Sequence, residues 1–299
     1  MKLLVIGSKG FIGSNCLHYF SKANNDVWGA DILEPKSSNY FLIDKKNPAF
    51  DSLFSKHSFD VCINASGSAD VGFSISNPEK DFELNVKNVE LILEAIRKNS
   101  PACRFINFSS AAVYGNPVSL PVNESAVAKP LSPYGEHKLK SELLLKEYHN
   151  KYGLFTCSMR VFSAYGPGLK KQLFWNLFQK GQAGKKVTLF GTGEESRDFI
   201  FIDDLMQAVD VLMQKTQFAG EAVNVSSGVE TKIKDAARIF LSSFGSGYSL
   251  EFSGEEKVGD PMNWRADISL LKQMGFSPFV TFEEGITRTT QWLKELRSV

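Results

Sequence analysis

The stretch KLLVIGSKGFIG, residues 2–13, decides the fold of this chain. Its apolar run, residues 3–6, is short and closed by glycine, which reads as a buried strand. Gly7, Gly10 and Gly13 come directly after it. Glycines there let the backbone turn tightly and let a pyrophosphate approach the N–H groups that open the next helix. The spacing is GxxGxxG rather than GxGxxG, so the loop alone is a weak signal, equally readable as a plain tight turn. Asp31 strengthens it, because it ends the second strand-like run, DVWGAD, where a carboxylate can bind the ribose hydroxyls of an adenosine. The same carboxylate would repel a 2′-phosphate, so NAD is expected over NADP. Lys9 in the loop and Lys36 after the strand keep NADP open, although solvated surface charges are the plainer reading of both.

Outward from this loop, short apolar runs alternate with longer amphipathic ones. LLVIG, DVWGAD, DVCINAS, RFINFSS and TCSMRVFSAYG read as strands. PEKDFELNVKNVELILEAIRKN and SPYGEHKLKSELLLKEYHNKYG read as helices, the second with Leu139, Leu143 and Leu144 as one apolar stripe. The alternation predicts an α/β fold, a Rossmann-type doubly wound parallel sheet with helices on both faces. After Gly166 the sequence loosens into glycine-punctuated stretches such as GPGLKK, QKGQAGKK and FGTGEESR, with strand-like FIFI and VNVSS later and a final helix, EEGITRTTQWLKEL. The expected division is a dinucleotide-binding domain, residues 1–163 with returns at about 199–228, and a smaller C-terminal α+β substrate part, residues 164–198 and 229–299.

Composition fits an ordinary globular chain: 299 residues, 43% apolar, 22% charged, formal net charge +1. No long basic block suggests nucleic acid. Cys16, Cys62, Cys103 and Cys157 form no CxxC pair and read as core side chains, and His18, His57, His137 and His149 show no ligand spacing. No metal is expected. The N-terminal apolar run is too short for a signal-peptide core and no run of 18 apolar residues occurs, so a reduced, cytoplasmic protein with no membrane partner is expected.

Two further stretches carry chemistry. Tyr134 and Lys138, in SPYGEHK, sit four apart at the start of a predicted helix and project from one face. A phenol of ordinary pKa, about 10, is a poor base at neutral pH, and a neighbouring ammonium favours its ionised form. By itself such a pair is common on amphipathic helices, with the lysine exposed and the tyrosine half-buried. Here it follows a strand that ends in Ser110, within SSAAVYG, and strand ends at the carboxyl edge of such a sheet are where ligands bind. Ser110 can then hold a substrate hydroxyl while Tyr134 takes its proton.

These motifs together, GSKGFIG, Asp31, NASGSA, SSAAVYG, PYGEHK, RVFSAYGPG, RDFIFIDD, NVSSG and GDPMNWRAD, resemble the extended short-chain dehydrogenases/reductases of the NAD-dependent epimerase/dehydratase family, which act on nucleotide sugars. The resemblance runs nearly end to end. It implies cofactor contacts from Gly7, Gly10, Phe11, Ile12, Gly13, Asp31, Ala65, Tyr134 and Lys138, with Asp44 near the adenine and Asn85 near the end of the pocket. It also implies substrate contacts from Ser110, Ser163, Arg197, Lys257 and Asp260. Ser163 stands where many members have asparagine, Lys257 where arginine occurs, and Phe82 where tyrosine is common, so the sugar or nucleotide is expected to differ. Read alone, Arg197 is a surface partner for Glu194 or Glu195.

Members that dehydrate the sugar carry an acid pair after the catalytic hydroxyl, where this chain has Ala111 and Ala112, which transfer no proton. Two reactions remain, with Ser110, Tyr134 and Lys138 as the catalytic three. A 4-epimerase oxidises the sugar at C4 and returns hydride to the other face of the transient ketone. A 4-keto-6-deoxysugar reductase delivers hydride once. A catalytically silent dinucleotide-binding protein is the reading outside catalysis. A homodimer joined through the helices near 78–98 and 134–152, and a place among polysaccharide precursors, are implied by resemblance only.

Overall fold

The computed structural model describes residues 1–34, 38–255, 259 and 261–297. Six strands follow one another to the middle of the chain: β1 (Lys2–Ile6), β2 (Asp26–Asp31), β3 (Tyr40–Leu42), β4 (Val61–Asn64), β5 (Arg104–Ser110) and β6 (Thr156–Val161). Six more come later: β7 (Ser163–Tyr165), β8 (Lys186–Leu189), β9 (Ser196–Phe201), β10 (Ala219–Val225), β11 (Glu230–Lys232) and β12 (Ser249–Phe252). The main sheet runs in the order β3-β2-β1-β4-β5-β6-β10 and is parallel throughout. Connections wind one way from β1 to β3 and the other way from β4 onward, so a crevice opens past the carboxyl ends of β1 and β4.

Successive residues of a strand face opposite sides, and here both sides are covered. Leu3 and Val5 enter one apolar cluster with Ile63, Ile106 and Met159, while Leu4 and Ile6 enter another with Cys62, Phe105 and Ile92. That double burial is why β1 and β4 read as unbroken apolar runs. All four cysteines are free and buried. The first cluster continues without a break to Phe174, Phe240 and Leu293, beneath the small sheets β11-β9-β7 and β12-β8. Of the segment expected to return to the large sheet, β10 does so, whereas FIFI lies in β9 of the three-stranded sheet.

The helix Pro133–Tyr152 is set locally at both ends. The Ser132 hydroxyl accepts the Gly135 amide, Pro133 opens the first turn, and Gly153 closes the helix at a positive φ of 69°. Its expected leucine stripe is corrected by the structure. Leu143 is 58% exposed, Leu139 and Leu144 pack on different apolar clusters, and the face turned inward carries Tyr134, His137, Lys138, Ser141 and Glu142. Hydrogen bonds, rather than apolar area, satisfy that face. The other expected helix runs unbroken from Pro78–Phe82 through a π-helical turn, Glu83–Lys87, into Asn88–Asn99. The stretch after Gly166 is also more regular than its glycines suggest, because Gln172–Ala183 forms a helix with Phe174, Leu177 and Phe178 buried. No helix among the described residues is long and apolar enough to cross a membrane.

Candidate active site

The glycine loop is tight enough to exclude any larger residue at two of its three positions. Gly7 turns at φ 78°, and a Cβ there would lie 2.6 Å from the Ser66 nitrogen. A Cβ on Gly13 would lie 2.1 Å from the Gly7 carbonyl oxygen. The loop leads into the helix Phe11–Lys22, which no side chain caps and whose first turn holds no acid. The amides of that turn, at Phe11, Ile12 and Gly13, are therefore available to an anion.

Asp31 ends β2 against this loop. One carboxylate oxygen accepts the Lys9 amide at 2.8 Å and the other the Ile32 amide at 2.7 Å, which fixes the group beside the crevice with lone pairs to spare. The Lys9 ammonium turns away over the Tyr40 ring, 5.0 Å from its centroid. Ala65 follows β4 and donates its amide to the Ile6 carbonyl, joining the two strand ends at the crevice. Asn85, in the π-helical turn, is buried with neither amide atom hydrogen-bonded, and a Cβ on Gly67 would come within 2.5 Å of its Oδ1. Asp44 lies exposed after β3, its carboxylate accepting the Lys46 amide. An open helix start, a sterically closed glycine loop, a fixed carboxylate and an unsatisfied amide fit a dinucleotide laid across these strand ends.

Past the carboxyl end of β5 the reactive groups converge. Ser110 sits opposite Val161 of β6 and caps the turn Ala111–Tyr114 by accepting the Ala112 amide at 3.1 Å. Tyr134 is buried beside it. Burial pushes its phenol up to about 12, the Ser110 hydroxyl opposes this by hydrogen bonding, and Asp81 adds to the rise. Lys138 is buried too, and burial pulls its ammonium down to about 8 against the charges of Asp81 and Glu142. Its Nζ donates to the Phe108 carbonyl at 2.9 Å and lies 5.8 Å from the Tyr134 ring centroid. The three residues expected to act together are thus brought together. The expected depression of the phenol by Lys138 is not found: desolvation raises the phenol instead, and Ser110 is the group that favours ionisation.

Two of the residues expected to contact substrate, Ser163 and Arg197, lie on the three-stranded sheet. Ser163 opens β7, two residues past the strand partner of Ser110, and β7 runs beside β9, which carries Arg197. Arg197 does not take the surface role suggested by its neighbours. Glu194 is held by Lys232 and Lys234, and Glu195 accepts the Thr192 and Gly193 amides. The Arg197 guanidinium instead donates to the carbonyls of Ser196 and Met262 and lies 5.5 Å from the Trp264 ring. Lys257 and Asp260, like Lys36, lie outside the described residues.

Sequence reasoning missed the polar supports beneath the site. Asn64 donates to Asn107 at 2.8 Å, and Asn107 donates to Ser141, joining β4, β5 and the helix Pro133–Tyr152. Glu142 accepts from Arg160 through both oxygens and from the Ser109 hydroxyl. Asp81 pairs with His137. Only the unusual density of polar residues near strand ends, as in VCINAS and RFINFSS, signalled any of this.

Comparison with known proteins agrees with this geometry. The NAD dependent epimerase/dehydratase family matches residues 3–226. A protein of Bacillus subtilis named uncharacterized UDP-glucose epimerase YtcB is 29% identical over 99% of both chains. The UDP-glucuronate 4-epimerase of Thermodesulfobacterium geofontis is also 29% identical, over 98% of this chain and 96% of its own. Among solved structures, UDP-glucuronic acid 4-epimerase from Bacillus cereus, in complex with UDP-glucuronic acid and NAD, superposes with a TM-score of 0.88. It is 27% identical and covers 99% of this chain and all of its own.

Proposed function

This chain belongs to the NAD-dependent epimerase/dehydratase family, and we propose that it epimerises a nucleotide-activated hexose at C4 through a transient 4-keto sugar. The observation that carries the reading is the convergence of Ser110, Tyr134 and Lys138 at the carboxyl edge of the sheet, followed by Ala111 and Ala112 rather than acids. Methyl groups transfer no proton, so the site handles one proton at one carbinol and does not expel water.

Tyr134 takes the hydroxyl proton of the sugar and later returns it. Ser110 holds the same oxygen and its hydrogen bond favours the ionised phenol. Lys138, anchored on the Phe108 carbonyl, supplies positive charge nearby. The glycine loop, Asp31 and Asn85 would hold NAD, which provides reversible hydride acceptance when bound. Ser163 and Arg197 would face the nucleotide diphosphate from the small sheet, so residues 164–198 and 229–299 act as the substrate part. A homodimer belongs to the same reading: Leu91 and Leu143 are exposed on the two helices that would pair, and a monomer by light scattering would remove it.

The test is to denature the purified protein and identify the nicotinamide released by mass spectrometry, then to follow UDP-hexoses with the intact protein by proton NMR. Stoichiometric NAD and a C4 epimer are expected, because an epimerase regenerates its cofactor each turnover. An empty protein that takes up NADPH and reduces a 4-keto sugar would replace this reading with the reductase.

A further inference from the structure

Asp81 and His137 form a buried pair that the proposed reaction does not use. The helix Pro78–Phe82 places the Asp81 carboxylate against the helix Pro133–Tyr152, where its Oδ2 meets His137 Nδ1 at 2.7 Å. Asp81 is 0% exposed, and its other oxygen, Oδ1, is buried with no hydrogen-bond partner. The His137 ring also makes a T-shaped contact with the Phe82 ring, with centroids 5.4 Å apart. A dry carboxylate oxygen without a donor is costly to keep unless a nearby cation offsets it through space. His137 lies between Tyr134 and Lys138 in sequence on this helix, and the two helices pack against each other.

We propose that Asp81 is a positioning residue for the Tyr134–Lys138 pair: a buried anion, clamped by His137, that holds Lys138 as an ammonium. This rests on the reading of those two residues as the proton-handling pair.

The other groups around the pair leave Asp81 as the effective charge. From β5 come only the Phe108 carbonyl and the Ser110 hydroxyl. On the shared helix, Glu142 is gripped by Arg160 of β6 through both oxygens. In the π-helical turn, Glu83 and Lys87 are exposed and paired with Lys80 and Glu90. The helix Val71–Ser76, VGFSIS, holds nothing titratable. Consistently, Asp81 precedes Glu142 among the charges that oppose the burial of Lys138, and it adds to the rise of Tyr134.

The experiment needs no substrate. Lysine Cε-13C NMR of the full chain, with the Lys138 signal identified from Lys138→Arg, reads the titration of this ammonium directly. The parent should show a midpoint of about 8. Asp81→Asn should lower it by about one unit or more, a tenfold fall in the ratio of ammonium to amine at a given pH. Asp81→Ser, which also lacks the charge, gives the same reading should Asp81→Asn fail to fold. Asp81→Glu, which restores the charge, should return the midpoint toward the parent's. An unmoved midpoint in a folded neutral variant, or an equal fall in Asp81→Glu, overturns the proposal. Failure of the catalytic reading would show separately, as turnover that survives Tyr134→Phe.

Discussion

Lys138 Nζ donates a 2.9 Å hydrogen bond to the carbonyl oxygen of Phe108, tying the helix Pro133–Tyr152 to β5 two residues before Ser110. The bond spends the ammonium on the backbone rather than on the phenol. It also makes the proton on Lys138 part of the stability of the fold.

Burial lowers Lys138 from the ordinary 10.5 to about 8 in the native chain. Between these values the unfolded chain holds a proton that the folded chain has released, so stability rises with pH. The contribution is fully present above pH 10.5 and is lost as the pH falls through 8; its size is about 3 kcal/mol. Urea unfolding of the parent and Lys138→Met should therefore show the parent gaining on the variant from pH 7 to pH 10. A constant difference would mean an ordinary lysine. Tyr134, raised to about 12 by burial, acts in the opposite sense only above pH 10.

Tyr134→Phe removes the one hydroxyl placed to exchange a proton with the substrate while keeping the ring. Turnover of a responsive nucleotide sugar should fall by about 10²–10⁴-fold, and retention of NAD should persist. Undiminished turnover would end the catalytic assignment.

Gly13→Ala sets a methyl group 2.1 Å from the Gly7 carbonyl oxygen, backbone that cannot yield as a flexible side chain would. The loop must open. A lower melting temperature and loss of co-purifying NAD are expected, and a variant that keeps both would show that the loop is not the phosphate cradle.

Glu142→Gln leaves Arg160, which is 8% exposed, without its charge partner and weakens the clamp on Ser109. Breaking a buried pair from one side costs about 3–5 kcal/mol. The urea midpoint should fall accordingly; a shift of a few tenths of a kcal/mol would mean that water reaches the guanidinium.

Burial pushes the thiols of Cys16 and Cys103 up to about 12 and raises Cys62 and Cys157 as well. A thiol-specific disulfide reagent should release no colour from native protein at pH 8, and the full signal of all four thiols in denaturant.

Much of the fold was legible because the parallel sheet is buried on both sides, which writes β1, β4, β5 and β6 into the chain as apolar runs. Less legible were elements whose inward face is polar. The leucines of the helix Pro133–Tyr152 misled, since Tyr134, Lys138, Ser141 and Glu142 take the buried face and leave Leu143 in solvent. The helix Gln172–Ala183 was hidden among glycines: Gly184 ends it, and Gly181 lies buried in its last turn without breaking it.

By itself the sequence determined the glycine loop, the carboxylate after the second strand, the hydroxyl at the end of the fifth and the Tyr134–Lys138 spacing. Each of these is a local pattern, legible wherever strand and helix periods are. Tertiary structure decided which charges those groups meet. Asp81 is adjacent in sequence to exposed residues that look no different, and its charge favours the Lys138 ammonium only because two helices pack with their polar faces together. The protonation of a buried group depends on neighbours across space and on the water excluded between them, and neither is a property of the chain's order alone.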